Sequence, residues 1–339
     1  MGKTLGFFLL TVGSMVFAEA QPLPAVPIPK DNPQSAAKIS LGKQLFFDPR
    51  LSLDGTVSCN SCHNVMGSGT DNRPNSIGVG GKAGGRSSPT VWNSAYLSAQ
   101  FWDGREPTLE AQAKGPLTNP IEMAMPNHDA VMARVKKIPG YVEQFNKVFG
   151  GKDAVTIDNL AKAIASYERT LVTPNSPFDK FLKGNKGAIS AKAKKGYQLV
   201  TEVGCMSCHM GPNFAGPPLP VGTGFFQKFP VYENSAFVAK YHLKEDAGRA
   251  EHTKKDEDRG FWRVPTWRNV AVTAPYFHNG AVKTLDEAVR VMAETQLNKQ
   301  LTPDQVGEIV AFLETLTGEF PKDTLPRLPD TVGTTLLVE

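Results

Sequence analysis

The sequence is sparing with the residues that most chemistry needs. It holds four cysteines, four tryptophans and six histidines among 339 residues. Charge of neither sign dominates: 37 lysines and arginines stand against 33 aspartates and glutamates, spread along the chain, for a net charge of +4. With no basic block and no interleaved aromatic array, a nucleic-acid binder is not indicated. No strand pattern of any length stands out, so sheets should be limited to a short hairpin or two in the loops. After residue 20 no apolar run is long enough to span a bilayer.

What is present begins with a targeting pattern. Lys3 supplies a positive start, residues 5–18 are apolar, and Ala18-Glu19-Ala20 is a small-residue cleavage site. Residues 1–20 therefore read as a signal peptide, and the mature chain should begin near Gln21 in the periplasm. An exported chain with four cysteines would ordinarily suggest two disulfides. The spacing argues otherwise. Cys59 and Cys62 are followed at once by His63, and Cys205 and Cys208 by His209. C-x-x-C-H is the attachment signature of c-type haem: two thioether bonds hold the macrocycle and the histidine ligates iron. A thioredoxin-like pair lacks that histidine, and a zinc site needs more ligands in register. Two copies consuming every cysteine imply two covalently bound haem c groups.

The motifs are 146 residues apart, and the likeness extends beyond them. GKQLFFDPRLSLDGTVSCNSCH (residues 42–63) parallels GYQLVTEVGCMSCH (residues 196–209). IASYERTL (residues 164–171) parallels IVAFLETL (residues 309–316) at an offset of 145. Both of these read as amphipathic helices, and Thr302, Pro303 and Asp304 supply helix-start chemistry for the second. Each half then runs helix, haem motif, long loops, closing helix, which is the cytochrome c plan. The expected fold is mainly α, with two cytochrome c-like domains in tandem, each wrapped around one haem. Residues 21–180 form the first, 181–325 the second and 326–339 a tail, the break falling in the Pro-, Gly- and Lys-rich VTPNSPFDKFLKGNKGA (residues 172–188).

Six histidines limit the choice of iron ligands: His63, His128, His209, His242, His252 and His278. His63 and His209 are the proximal pair. After the second motif the methionines are Met210 and Met292. Met210 is tethered to the wrong side, whereas Met292 lies on a helical pattern that can return over the distal face. A thioether ligand there raises the reduction potential, but spacing alone reads Met292 equally well as a core residue. The first motif has no such partner. Residues 64–127 hold no histidine; the methionines are Met66, Met123 and Met125, and the glycine loop SIGVGGKAGG, flexible enough to reach anywhere, offers only Val79. Unless a methionine or His128 swings in, this iron is five-coordinate or holds water. His278 in YFHNG reads as a group near a haem propionate, His128, His242 and His252 as solvated, and Trp262 and Trp267 as packing.

Several longer stretches carry a resemblance. LGKQLFFDPRLS, CNSCHN, SPTVWN, QFWDGR, EAQAKGPLTNPIEM, SYERTLVTPNSPFDKFLKG, GCMSCHMG and RVPTWRNVAVTAPYFHNGAVKTLDEAV together resemble the bacterial di-haem cytochrome c peroxidases, over nearly the whole mature chain. The resemblance implies that the N-terminal haem is peroxidatic. It places Glu122 as the distal general base and acid, Gln112 in the same pocket, Trp102 between the haems and Met292 as axial ligand of the C-terminal haem. It implies an inter-domain calcium ion bound by carbonyls of Thr273 and Pro275, with Ser87 where the family has asparagine. It also places Val79 where the family has the histidine that caps the resting peroxidatic iron. The expected activity is reduction of hydrogen peroxide to water, with electrons from a small exported cytochrome c or cupredoxin, by a homodimer. Two other functions compete. A di-haem oxidase acting on a protein or small molecule, like the enzyme that matures methylamine dehydrogenase, has a tyrosine where this chain has Met292. A pure electron-transfer cytochrome would keep both irons six-coordinate and has no need of Glu122.

Overall fold

The computed structural model describes residues 20–151, 153–333 and 335–337. The segment read as a signal peptide, apart from Ala20, lies outside them. Thirteen α-helices occur among the described residues: α1 (Ala36–Phe47), α2 (Cys59–Cys62), α3 (Leu109–Gln112), α4 (Gly115–Thr118), α5 (His128–Lys136), α6 (Pro139–Phe149), α7 (Ile157–Glu168), α8 (Pro177–Leu182), α9 (Ala191–Val203), α10 (Ala236–Lys240), α11 (Ala250–Thr253), α12 (Leu285–Leu297) and α13 (Pro303–Glu314). The sheet content among the described residues is one antiparallel pair, β1 (Phe226–Lys228) with β2 (Phe261–Arg263), in which Phe226 opposes Arg263. No helix among the described residues is long and apolar enough to cross a membrane.

Helix starts follow from local chemistry. Ser35, Thr156, Ser190 and Thr302 each accept a hydrogen bond from a backbone N–H of the first turn. Thr302 and Gln305 complete a capping box at the start of α13. These four helices make the same arrangement twice. α1 packs across α7 in the first half, and α9 across α13 in the second.

The two crossings use the same device. A Cβ on Gly42 would sit 1.8 Å from the Ala163 carbonyl oxygen, and a Cβ on Gly196 would sit 1.9 Å from that of Glu308. Glycine is required there because backbone meets backbone. Gly42→Ala or Gly196→Ala should force the helices apart at a cost of about 1–3 kcal/mol or more. The check is thermal unfolding beside Gly85→Ala, where a Cβ meets nothing within 4 Å. Equal melting temperatures in all three variants would contradict the close crossing.

Each crossing carries its own apolar core. The first joins Leu41, Leu45, Phe46, Tyr141, Phe145, Leu160, Ile164 and Tyr167. The second joins Phe178, Val200, Phe214, Ile309, Phe312 and Leu316. Phe178 places α8, which spans residue 180, with the second core. The C-terminal tail returns to the first core through Leu336. A third cluster, with Phe229, Trp262, Tyr276 and Val291, has Trp102 and Met292 packed against it.

A further repeat appears in space. Residues 89–113 run like residues 265–289. Pro89-Thr90, Asn93, Phe101, Gly104 and Thr108-Leu109 correspond to Pro265-Thr266, Asn269, Phe277, Gly280 and Thr284-Leu285. Asn93 and Asn269 both have φ 63°, and Phe101 and Phe277 have φ 68° and 70°. Asn93 N–H donates to the Leu171 carbonyl at 2.9 Å, and Asn269 N–H to that of Leu316 at 3.2 Å. The two asparagines meet on one buried hydroxyl: their Nδ2 atoms donate to Thr173 Oγ1 at 2.8 and 2.9 Å. This contact ties the halves together.

Candidate haem sites

The C-terminal motif opens on an apolar cavity of about 240 Å³. Cys205, Cys208, His209 and Met292 all line it, so the structure brings the axial methionine candidate to the proximal histidine. His209 Nδ1 donates to the Phe214 carbonyl at 3.1 Å, which leaves Nε2 with its lone pair free for a metal. Burial lowers the His209 pKa to about 4, so the ring is neutral at pH 7. Trp267 stacks on it at 4.3 Å and 19°. The packing role read for Trp267 thus has an object: it fixes the plane of the His209 imidazole.

Two polar groups lining this cavity are left without partners. His278 stacks on Trp262 at 4.1 Å. Its Nε2 and the Trp262 Nε1 are both buried without a hydrogen-bond partner. Burial lowers His278 to about 4 against the pull of Asp246. Arg263 is also buried, its pKa lowered to about 10 by burial; its Nε donates to the Phe101 carbonyl at 3.0 Å and its Nη1 to the Val264 carbonyl at 3.1 Å. Orphaned donors around an apolar cavity with two thiols at its edge are what a haem with carboxylate side chains would satisfy. The residues present therefore fit that group.

At the N-terminal motif, His63 Nδ1 donates to the Pro89 carbonyl at 3.0 Å, and burial lowers its pKa. Cys59 and Cys62 bound α2. Glu122 is near enough that its charge adds to the burial that raises both thiols. Burial also raises the pKa of Glu122, opposed by Arg105 and by a 2.8 Å hydrogen bond from Asn119 Nδ2 to Oε1. A carboxyl half-buried over the site and held from one side can both take and return a proton. Gln112 ends α3, half-buried, and among the described residues no hydrogen bond joins it to Glu122.

The other ligand candidates at this motif differ in setting. Met66 is 54% exposed. His128 Nε2 donates to the Lys114 carbonyl at 3.1 Å, so it is not merely solvated. Met123 and Met125 are buried in the first core together with Val79. The loop carrying Val79 is docked. Ile77 and Ala83 form a bridge, Val79 N–H donates to the Glu122 carbonyl at 2.9 Å, and Val79 is 7% exposed. A Cβ on Gly78 would lie 1.8 Å from the Ile121 carbonyl oxygen. The flexibility read from these glycines is, at Gly78, room for a close backbone approach. His242 pairs with Glu245 at 2.6 Å, and His252 is exposed.

The repeat shows how the two sites diverge. Met292 lies within the unbroken α12, and its counterpart in the first half is Pro116. There the helix is interrupted: α3 ends at Gln112 and α4 starts at Gly115. Proline and glycine break the helix, and the chain turns into the segment carrying Glu122. By the same register Trp102 corresponds to His278. Trp102 Nε1 donates to the Ser87 carbonyl at 2.8 Å, and Ser87 N–H donates to the His278 carbonyl at 2.7 Å. Residues 87–89 thus line the C-terminal cavity, hold Trp102, and hold His63 through Pro89. Ser87, Thr273 and Pro275 also line that cavity. The Ser87 hydroxyl donates to the Arg73 carbonyl at 3.2 Å, and that of Thr273 to the Val270 carbonyl at 3.2 Å. Among the described residues no three His, Cys, Asp or Glu side chains converge as a metal site.

Residues 36–187 match the family model of the di-haem cytochrome c peroxidases. The chain is 45% identical to a cytochrome c551 peroxidase of Nitrosomonas europaea, covering 96% of this chain and 94% of that one. It is 43% identical to the cytochrome c551 peroxidase of Pseudomonas aeruginosa, over 96% and 97% of the two chains. The chain belongs to the di-haem cytochrome c peroxidase family. It is an oxidoreductase that uses peroxide as acceptor and carries two haem cofactors. Its backbone is similar to that of a MauG-like protein associated with microbial copper homeostasis, with a TM-score of 0.75, 28% identity and coverage of 88% and 94%. Sequence reading of the enzyme missed the Trp262–His278 and Trp267–His209 stacks. No local pattern marks them, because the fold alone brings each tryptophan to its histidine.

Proposed function

We propose that the enzyme is an exported, periplasmic peroxidase that reduces hydrogen peroxide to water with electrons from a small c-type cytochrome or cupredoxin. One observation carries the reading: the two haem sites are unequal. His209 shares a cavity with Met292, whereas at His63 the methionine's counterpart is Pro116 and a carboxyl, Glu122, stands by instead. Cys59, Cys62 and His63 hold the N-terminal haem in a domain of residues 21–180. Cys205, Cys208, His209 and Met292 hold the other in residues 181–325, with His278 at its propionates, residues 326–339 as a tail and residues 1–20 removed on export.

When bound, the haems supply an open iron for peroxide at the first site and a stored electron at the second. Glu122 takes the proton of the inner peroxide oxygen and returns it to the outer one, so that water leaves. Gln112 moves in to orient that carboxylate or the peroxide. Trp102 spans the gap between the sites with an aromatic path, supported by Ser87. Thr273 and Pro275 carbonyls, with Ser87, hold a calcium ion between the domains, and two chains form a dimer. Val79 leaves the first site uncapped, so reductive activation is not needed.

The test is to mix the holoenzyme with a reduced small c-type cytochrome and peroxide. Oxidation of about two equivalents of cytochrome per peroxide is expected. Electron exchange with the cytochrome that is indifferent to peroxide would leave only an electron-transfer role.

A further inference from the structure

Glu168 ends α7, the closing helix of the first half, and is 5% exposed. Its Oε2 is buried with no hydrogen-bond partner. Arg169 next to it does not answer that charge directly, because its guanidinium grips both oxygens of Glu110 at 2.7 and 3.0 Å. An unpaired carboxyl in a core is costly, so its position calls for a reason.

The internal repeat supplies one. The close crossing at Ala163 and Glu308, and the carbonyls of Leu171 and Leu316 that receive Asn93 and Asn269, fix the register of α7 against α13 from both sides. In that register Glu168 corresponds to Leu313. Leu313 lines the C-terminal cavity with His209 and Met292. The first half therefore has a carboxyl where the second has an apolar haem-facing side chain. Proximity agrees: after burial, the charge of Glu168 is the largest influence on the Cys59 thiol, ahead of Cys62.

We propose that Glu168 is a second carboxyl of the N-terminal haem site, a proton-holding group that takes up a proton when that site gains an electron. The inference rests on Cys59, Cys62 and His63 holding a haem. Glu168 accepts one proton from solvent as one electron from the donor enters, so the net charge of the site is unchanged, and gives it back on oxidation. The groups around it leave this role to Glu168. Glu110, half-buried, is held below the usual carboxylate range by Arg169 and Asn32. Tyr167 donates its hydroxyl to Asp323 at 2.7 Å. Lys38 of the crossing helix is taken by Asn32 and Pro33. Cys59 is consumed by attachment. Burial pushes the Glu168 carboxyl up to about 8, with Arg169 opposing and Glu110 adding. Gaining an electron removes a positive charge nearby, which raises it further. The proton is therefore bound more tightly in the reduced state, and the potential must fall as pH rises past the oxidised-state value.

The experiment is a potentiometric titration of both haems against pH in the wild type, Glu168→Gln, Glu168→Leu and Glu122→Gln, with haem content checked by the alkaline pyridine spectrum. The wild-type N-terminal potential should fall with pH around and above about 8, while the C-terminal potential stays flat as an internal reference. Glu168→Gln and Glu168→Leu should each flatten the N-terminal curve, and Glu122→Gln should keep its slope. A slope that survives in either Glu168 variant overturns the proposal, as does a slope that vanishes in Glu122→Gln. A wild-type chain carrying a single haem overturns the attachment reading and this proposal with it.

Discussion

Glu122→Gln should lower peroxide turnover by roughly 10²–10⁴ while both haems stay attached. The size follows from the proton that has to move. Peroxide leaves as water only if one oxygen loses a proton and the other gains it, and Glu122 is the carboxyl whose charge reaches both attachment thiols of the first site. Glutamine keeps the shape and can still accept from Asn119, which donates to Oε1 at 2.8 Å, so the fold should be undisturbed. A pH profile sharpens the test. The starting form must be ionised, and burial holds the Glu122 pKa above its ordinary value. The rate should thus fall as pH drops through a limb displaced upward from the usual carboxylate range, and that limb should vanish in the variant. Unchanged turnover with two haems bound would remove Glu122 from the chemistry.

The second large effect is expected from Val79→His. Val79 sits with Met123 and Met125 in the first core, and its N–H is fixed to the Glu122 carbonyl at 2.9 Å. That anchoring is a backbone feature, so a histidine at 79 inherits the docked loop. On the proposed reading its imidazole, costly to leave unpaired among apolar side chains, would have an iron to satisfy it. If the ring caps the iron 99% of the time, the competent fraction is about one in a hundred and the reaction with peroxide slows about 100-fold. The oxidised variant should be low-spin at both haems and should need reduction before it reacts. A variant that reacts as fast as the wild type would show that position 79 does not govern access.

The chemistry of attachment was legible because it is written in consecutive residues. C-x-x-C-H twice, with no cysteine left over, admits few readings, and the offset of the helices around it revealed two halves of one plan. Met292 emerged from a short list of methionines, and it lines the same cavity as His209. The second repeat was not legible. Its offset is longer than that of the motifs because the segment carrying β1, α10, α11 and β2 intervenes, and few identical residues survive across it. Without that register, Pro116 could not be recognised as the place where a methionine is missing. The stacking of Trp262 and Trp267 on histidines depends on chain segments that only the fold brings together. Gly78 misled in a different way. Glycine in a loop suggests freedom, yet this one permits a carbonyl of residue 121 to approach where any Cβ would collide.

The open first site is the centre of the functional reading, and it has a direct measurement: the optical and EPR spectrum of the as-isolated, fully oxidised enzyme, followed by stoichiometric peroxide without reductant. A high-spin or water-bound N-terminal haem that changes at once on adding peroxide is the expected result. Two low-spin haems, inert to peroxide until an electron is supplied, would contradict it.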